Sequence, residues 1–452
     1  MKRIREIKKG KESIFIVDEI FANEKINTYK IHIDTVINEI NSTLYYSLYN
    51  SNFEIIQEAF EFLNFRNKKL SKNTNLQALY ALKYLYIFSE IIEKKVPDFK
   101  YEDFQKLLYF LKGISANGTE LELSLLTKRG SNTVNTFFTT YRNFYNYLNI
   151  NNSPIFYNDR MNTTNNSIRN NKSIHYSVGL KSNVKNVEVP KYISPSKFKK
   201  IIEYIRNNTL NKEERLRNEA IIRIMYEGGL RLGEVLGLTL EDLVIKQINE
   251  NNDDTDEICF VYIRNRISDR NFQHAKTCMK VFNKRTYESF EYNTNPVGYQ
   301  LSFLNLDTYD LIDEYINIAH DRAYKNNKQN YFKFKADSVQ SYKEKSKDNF
   351  YVFLNNRSTP LSDESWNTTL RKIFGAVGID IDYKTKRNNL SHRFRHGFVM
   401  HLIHDLKLPI EQVMRRSRHT SHKGLDCYYN PTTTQLIKMK TDIEDELYKL
   451  DI

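Results

Sequence analysis

The sequence predicts a mainly α protein with a small antiparallel β-sheet, an α+β chain. Three observations carry that expectation. Apolar residues recur at three- and four-residue spacings over long stretches, as in LQALYALKYLYIFSEII at 76–92. Strand-like runs are few and short, such as ESIFIVDEIF at 12–21 and ICFVYIRNR at 258–266. At 452 residues the chain is also too long for one ordinary core, so it should divide into two or three domains.

Taken in order, residues 1–65 join the strand-like run to an amphipathic stretch, KINTYKIHIDTVINEI, and read as a small N-terminal module. Residues 66–150 hold three helical patterns: the stretch above, FQKLLYFLKGI and VNTFFTTYRNFYNYLNI. Residues 151–190 are rich in Asn and Ser and poor in periodic apolar positions, which predicts a linker. A last domain, 191–452, opens with a helix, SKFKKIIEYIRNN, capped by Ser194 or Ser196. A second helix, RLRNEAIIRIMYEGG, stops at Gly228-Gly229. ICFVYIRNR and AKTCMKVF are expected to pair as a hairpin turning at SDRN, and 321–350 to be a mobile Lys-, Asn- and Tyr-rich loop. An amphipathic helix with an acidic patch is expected after Thr432.

Composition narrows the function. Lys+Arg 68 against Asp+Glu 55 leaves +13 at neutral pH, which favours a polyanionic partner, nucleic acid first and an anionic membrane surface second. Cys259, Cys278 and Cys427 are scattered and form no CxxC pair, arguing against a disulfide framework or zinc knuckle. With no apolar run of about 18 residues, the expectation is a soluble, cytoplasmic protein with no membrane partner.

The chemistry concentrates in a few segments. In SHRFRHGFVM, 391–400, Ser391 is a plausible N-cap, and His392, Arg395 and His396 stand at i, i+3 and i+4 on one helical face. Phe394, Phe398, Leu402 and Leu406 repeat every four residues on a neighbouring face and should be buried. Imidazoles and a guanidinium near a helix N-terminus suit an anion such as a phosphate. They suit a metal poorly, because no Glu lies between the histidines and the arginine repels a cation. GGLRLGEVLGLTLEDL, 228–243, places Arg231 after the double glycine and Glu234 one turn on, where a carboxylate can hold the guanidinium. Lys276 lies near the tip of the expected hairpin, with Lys280 as a competitor. VMRRSRHTSHKGLDCYYNP supplies His419 and, nine residues later, Tyr428.

In this order and spacing, LRLGEVLGL, the AKT segment, SHRFRHGF and RHTSHKGLDCYY resemble the tyrosine recombinase (phage-integrase) family over roughly residues 190–435. Residues 66–150 fit the family's helical core-binding domain by architecture. The resemblance implies a C-shaped clamp on double-stranded DNA, and a site-specific recombinase or integrase of a transposon or phage that assembles as a tetramer through a Holliday junction. Arg231 and Arg395 would hold the scissile phosphate. Tyr428 would attack it to give a 3′-phosphotyrosine, Lys276 would protonate the leaving 5′-oxygen, His392 would assist as general base, and His419 would hydrogen-bond the phosphate. Glu234 and His396 would support them. No metal or other cofactor is implied. Two departures stand out: Arg418 occupies the position where the family usually has Gly, and a second tyrosine, Tyr429, follows the nucleophile and competes with it. A type IB topoisomerase-like or telomere-resolving enzyme, or a DNA-binding relative without catalysis, are the alternatives.

Overall fold

The computed structural model describes the chain except residues 11, 23, 41–42, 67–71, 116–119, 158–188, 252–253, 271, 273–274, 340–347, 382–388, 431–439 and 442–452. The chain divides into two compact units, Met1–Lys185 and Asn186–Ile452. Most of the expected linker and nearly all of the expected C-terminal helix lie outside the described residues. Among the described residues, no helix is long and apolar enough to cross a membrane.

In the first unit, strands β1 (Lys2–Lys9), β2 (Glu12–Phe21) and β3 (Glu24–Ile31) form an antiparallel meander. Strands β4 (Asp34–Ile40) and β5 (Thr43–Tyr49) form a separate hairpin, and β6 (Leu121–Ser124) pairs in parallel with β1. The stretch KINTYKIHIDTVINEI is thus two strands belonging to two sheets. The short α1 (Gln57–Glu61) leads to α2 (Lys72–Ile91), α3 (Tyr101–Lys112) and α4 (Ser131–Tyr147), which cover the three periodic patterns of the sequence. Residues 1–65 share one core with these helices: Ile4, Phe15, Val17 and Leu48 are buried together with Leu82, Phe88, Phe110 and Tyr141.

The second unit begins with α5 (Pro195–Asn208), where Ser194 is the cap and its hydroxyl accepts from the Lys197 N–H. Next come α6 (Lys212–Glu227) and the one-turn helix α7 (Leu232–Leu236). The antiparallel sheet contains β7 (Leu243–Asn251), β8 (Asp254–Arg264) and β9 (Tyr299–Leu304), in that order. Then follow α8 (Leu306–Lys333), α9 (Asp363–Ala376), α10 (Asn389–Met400) and α11 (Ile410–Ser417).

Four local expectations are corrected here. AKTCMKVF is not a strand, and β8 pairs with β7 and β9 instead. The carbonyls of Ala275, Cys278 and Met279 accept from the Asn265 side-chain amide at 3.0, 3.2 and 3.2 Å, a local bonding pattern that competes with a ladder. Residues 321–333 are not a loop but the second half of α8. Tyr315, Ala319 and Ala323 continue one buried stripe, Arg322 binds Glu213 with two bonds of 2.7 and 2.8 Å, and Tyr331 stacks on Phe350 at 4.1 Å. Ser391 is not the cap: α10 starts two residues earlier, and the buried Ser391 hydroxyl accepts from Trp366 Nε1 at 3.2 Å. Finally, Leu406 is 48% exposed, because the chain leaves α-helical geometry in a π-helical turn at His401–Asp405 and the four-residue repeat ends with buried Leu402.

Candidate functional site

The site is assembled around the turn between α6 and α7. Gly229 adopts φ +60, a left-handed conformation open to glycine, and a Cβ there would lie 2.4 Å from the Phe398 ring. Gly229 thus lets α10 approach the turn closely, and the Arg395 guanidinium reaches the Gly229 carbonyl, 166 residues away in sequence. Gly397 opens α10 on another side, where a Cβ would meet the Ile193 carbonyl oxygen at 2.3 Å and the Tyr226 ring at 2.8 Å.

Arg231 caps α7, and its guanidinium donates to Glu234 Oε1 at 2.7 Å while its N–H donates to Oε2 at 2.9 Å. Glu234 is fully buried. Burial pushes its pKa up, but the charges of Arg418, Arg231 and Arg395 and the Arg231 N–H outweigh that and hold it at about 2. Arg395, on α10, is buried and donates to the carbonyls of Gly229 and Ser417. Burial, Arg418 and Arg231 push its pKa down to about 9, so it remains charged at neutral pH.

The position that departs from the family pattern proves to be structural. Arg418 ends α11 at φ +56, the left-handed region a glycine would occupy. For a residue with a Cβ this costs roughly 1–2 kcal/mol. Its guanidinium is buried and donates to the carbonyls of Gly228 at 3.1 Å and Gly229 at 2.9 Å and to Glu234 Oε2 at 3.2 Å. Three guanidiniums thus converge on one carboxylate, leaving an excess of positive charge. Sequence reasoning noted Arg418 only as an oddity, and no local signal could have shown that it reaches Glu234, 184 residues away.

The histidines form a row beside this cluster. His392 and His396 lie with ring centroids 5.7 Å apart, and the His396 and Tyr428 rings are 5.6 Å apart. His396 Nδ1 and Tyr428 Oη are hydrogen-bonded at 2.5 Å. The His419 ring lies 6.4 Å from that of Tyr428, and its Nδ1 bonds the Ser417 hydroxyl at 2.6 Å. Burial first, and then the neighbouring arginines, lower His392 to about 4 and His419 to about 3; His396 is lowered to about 3 by burial, His392 and arginines. All three are therefore neutral at pH 7. Among the charges that depress His392 is that of Lys276. Lys276 is exposed, on a turn anchored by Asn265. The neighbouring Arg266 fixes the base of that segment, gripping Asp242 at 2.9 and 2.8 Å and Glu241 at 2.9 Å.

Tyr428 is 3% exposed and packs in a small core with Val399, Leu402, Val413 and Leu425. Burial raises its pKa, while Arg395 and Arg231 pull it down. Tyr429 is 42% exposed. His404 Nε2, in the π-helical turn, bonds the Tyr428 carbonyl at 2.9 Å, a contact that sequence reasoning missed. The structure therefore brings Arg231, Glu234, His392, Arg395, His396, His419 and Tyr428 together, with Lys276 close enough for its charge to act on His392.

Arginines, neutral imidazoles and one buried phenol thus gather at one place, a set of groups suited to binding an anion. Residues 301–435 match the model of the phage integrase family. The match contains His392, Arg395, His396, His419 and Tyr428; Arg231, Glu234 and Lys276 lie before it and join the cluster through the fold. The chain is 28% identical over 205 residues to transposase A from transposon Tn554 of Staphylococcus aureus, covering 44% of this chain and 54% of that protein. It thus spans about half the length of the curated relatives it matches. Among solved structures it is similar to the XerH site-specific recombinase bound to its difH substrate, at 15% identity and TM-score 0.45, covering 79% of this chain and 76% of that one. It is also similar to the Tn1549 transposon integrase with circular intermediate DNA, at 12% identity and TM-score 0.45, covering 85% and 98%.

Proposed function

We propose that this protein is a site-specific DNA recombinase of a mobile element, cleaving and rejoining DNA through a 3′-phosphotyrosine on Tyr428. The observation that carries the reading is the placement of one buried phenol beside two arginines and three neutral histidines. A phosphodiester is anionic and repels a nucleophile; Arg231 and Arg395 neutralise it and stabilise the five-coordinate transition state through charge-assisted hydrogen bonds. The same charges favour the phenolate as Tyr428 loses its proton. Lys276, long and solvent-exposed, protonates the leaving 5′-oxygen. His419 donates to the phosphate. The bond energy stays in the phosphotyrosine, so a partner strand's 5′-hydroxyl reverses the step without ATP.

The net charge of +13 supports double-stranded DNA as substrate. In this reading both units contact the duplex and four copies act on paired sites. The test uses nicked duplexes drawn from the DNA flanking the gene and scores protein–DNA adducts that survive denaturation. Wild type forms them; Tyr428→Phe forms none while keeping its DNA affinity; Tyr429→Phe still forms them. Adducts with Tyr428→Phe, lost in Tyr429→Phe, would move the nucleophile by one residue.

A further inference from the structure

The family resemblance led us to expect His392 as general base, yet the group in contact with the nucleophile is a different one. Among the described residues, the hydrogen-bond partner of Tyr428 Oη is His396 Nδ1. His392 stands one turn earlier on α10, its ring 5.7 Å from that of His396. We propose that His396 is a catalytic residue, the base that takes the Tyr428 proton as the phenol attacks phosphorus. This rests on the function proposed above.

The geometry supports the role on three counts. The contact is made by ring nitrogen and phenolic oxygen directly, so the proton moves along an existing hydrogen bond. The tyrosine is held at both ends from one continuous stretch of chain: His396 on α10 bonds the hydroxyl, and His404, two turns on, bonds the carbonyl. The second contact fixes the tyrosine backbone beside α10, and the first sets where its hydroxyl lies. Lastly, the phenol is walled off by Val399, Leu402, Val413 and Leu425, which limits the access of water as a competing acceptor.

The step balances. The Oη–H bond breaks and its proton passes to His396 Nδ1, the Nε2–H tautomer becoming an imidazolium. Oη bonds to phosphorus, the P–O5′ bond breaks, and the leaving oxygen takes a proton from Lys276. The titratable and charged groups facing His396 are His392, Arg393 and Arg395 on its own helix and His419 and Tyr428 from the segment after α11. In the free protein burial and these neighbours keep His396 neutral, ready to accept. An arriving phosphodiester compensates the positive field of Arg395 and raises the basicity of His396 when the proton must move.

The experiment compares His396→Asn, His396→Ala and Lys276→Ala with wild type on the nicked flanking duplexes, reading the rate of adduct formation. Asn places an acceptor near the Nδ1 position but is no base. The expected result is a loss of about 10² to 10⁴ in both His396 variants. Imidazole should restore His396→Ala in proportion to the concentration of its neutral form. A 5′-phosphorothiolate leaving group, which needs no acid, should rescue Lys276→Ala and leave the His396 variants slow. A near-wild-type rate for His396→Asn would reduce His396 to a positioning residue and overturn the proposal. So would a failure of imidazole to restore His396→Ala while its Trp366 fluorescence is native. A second measurement does not depend on DNA cleavage: ¹⁵N spectra of the histidine rings should show His396 as the Nε2–H tautomer, with its Nδ1 signal shifting in Tyr428→Phe. An Nδ1–H tautomer would overturn the assignment by itself, whereas absence of adducts in wild type with the expected tautomer would overturn the proposed function instead.

Discussion

Replacing Glu234 by Gln removes one negative charge from the centre of three guanidiniums. The structure sets the size of the effect. Glu234 is fully buried, and Arg231, Arg395 and Arg418 overcome its desolvation to hold its pKa at about 2 against an ordinary 4.5. At about 1.4 kcal/mol per tenfold change in proton affinity, that difference corresponds to about 3 kcal/mol of stability. Losing one partner of a buried ion pair commonly costs about 3–5 kcal/mol, the same range. Because the folded pKa is depressed, this contribution is fully present above pH 4.5 and is lost as pH falls towards 2. The three lowered histidines act in a different window: the unfolded chain takes up their protons first, so they destabilise the folded state from about pH 6.5 downward. Glu234→Gln should remove the acidic part and leave the histidine part. The assay is built in, since Trp366 is the single tryptophan, 1% exposed and bonded to Ser391 in the second unit. Its fluorescence should report a melting temperature lower by about 6–12 °C at pH 7, from about 3 kcal/mol at about 2–4 °C per kcal/mol. Adding Arg418→Met should recover part of that loss, because it removes one unbalanced charge. A drop below about 2 °C, or strict additivity in the double variant, would refute the view that one carboxylate holds the three arginines.

Lys276→Ala should slow adduct formation and be largely rescued by a 5′-phosphorothiolate leaving group, whereas Lys280→Ala should need no rescue; the reverse pattern would transfer the acid role to Lys280. Gly229→Ala should cost about 2–4 kcal/mol, combining the left-handed backbone with the 2.4 Å encounter with Phe398. Trp366 fluorescence in urea measures it, and an unchanged midpoint would mean that α10 does not depend on this close approach.

Much of the site was legible because its chemistry is written in short segments. The i, i+3, i+4 spacing of His392, Arg395 and His396, the Glu234 one turn after Arg231, and the nine-residue step from His419 to Tyr428 are local facts, and local geometry follows from helical and turn periodicity. Helices α2 to α6 and α10 were readable for the same reason. What the sequence could not decide was partnership. Whether residues 25–40 and 275–282 are strands depends on what their backbone groups bond: β2 and β5 pair the first, and the Asn265 side chain takes up carbonyls of the second. The second half of α8 looks like a polar loop in one dimension and becomes a helix because Glu213 and Phe350 supply its contacts. Arg418 reads as a departure from pattern until the fold carries it to Glu234, and His396 reads as a supporting residue beside His392 until packing puts its ring against Tyr428. The sequence by itself determined which chemical groups are present and which neighbours along a helix share a face. Only the tertiary structure decided which of them touch, because burial and charge pairing act between segments whose separation in the chain carries no information about their separation in space.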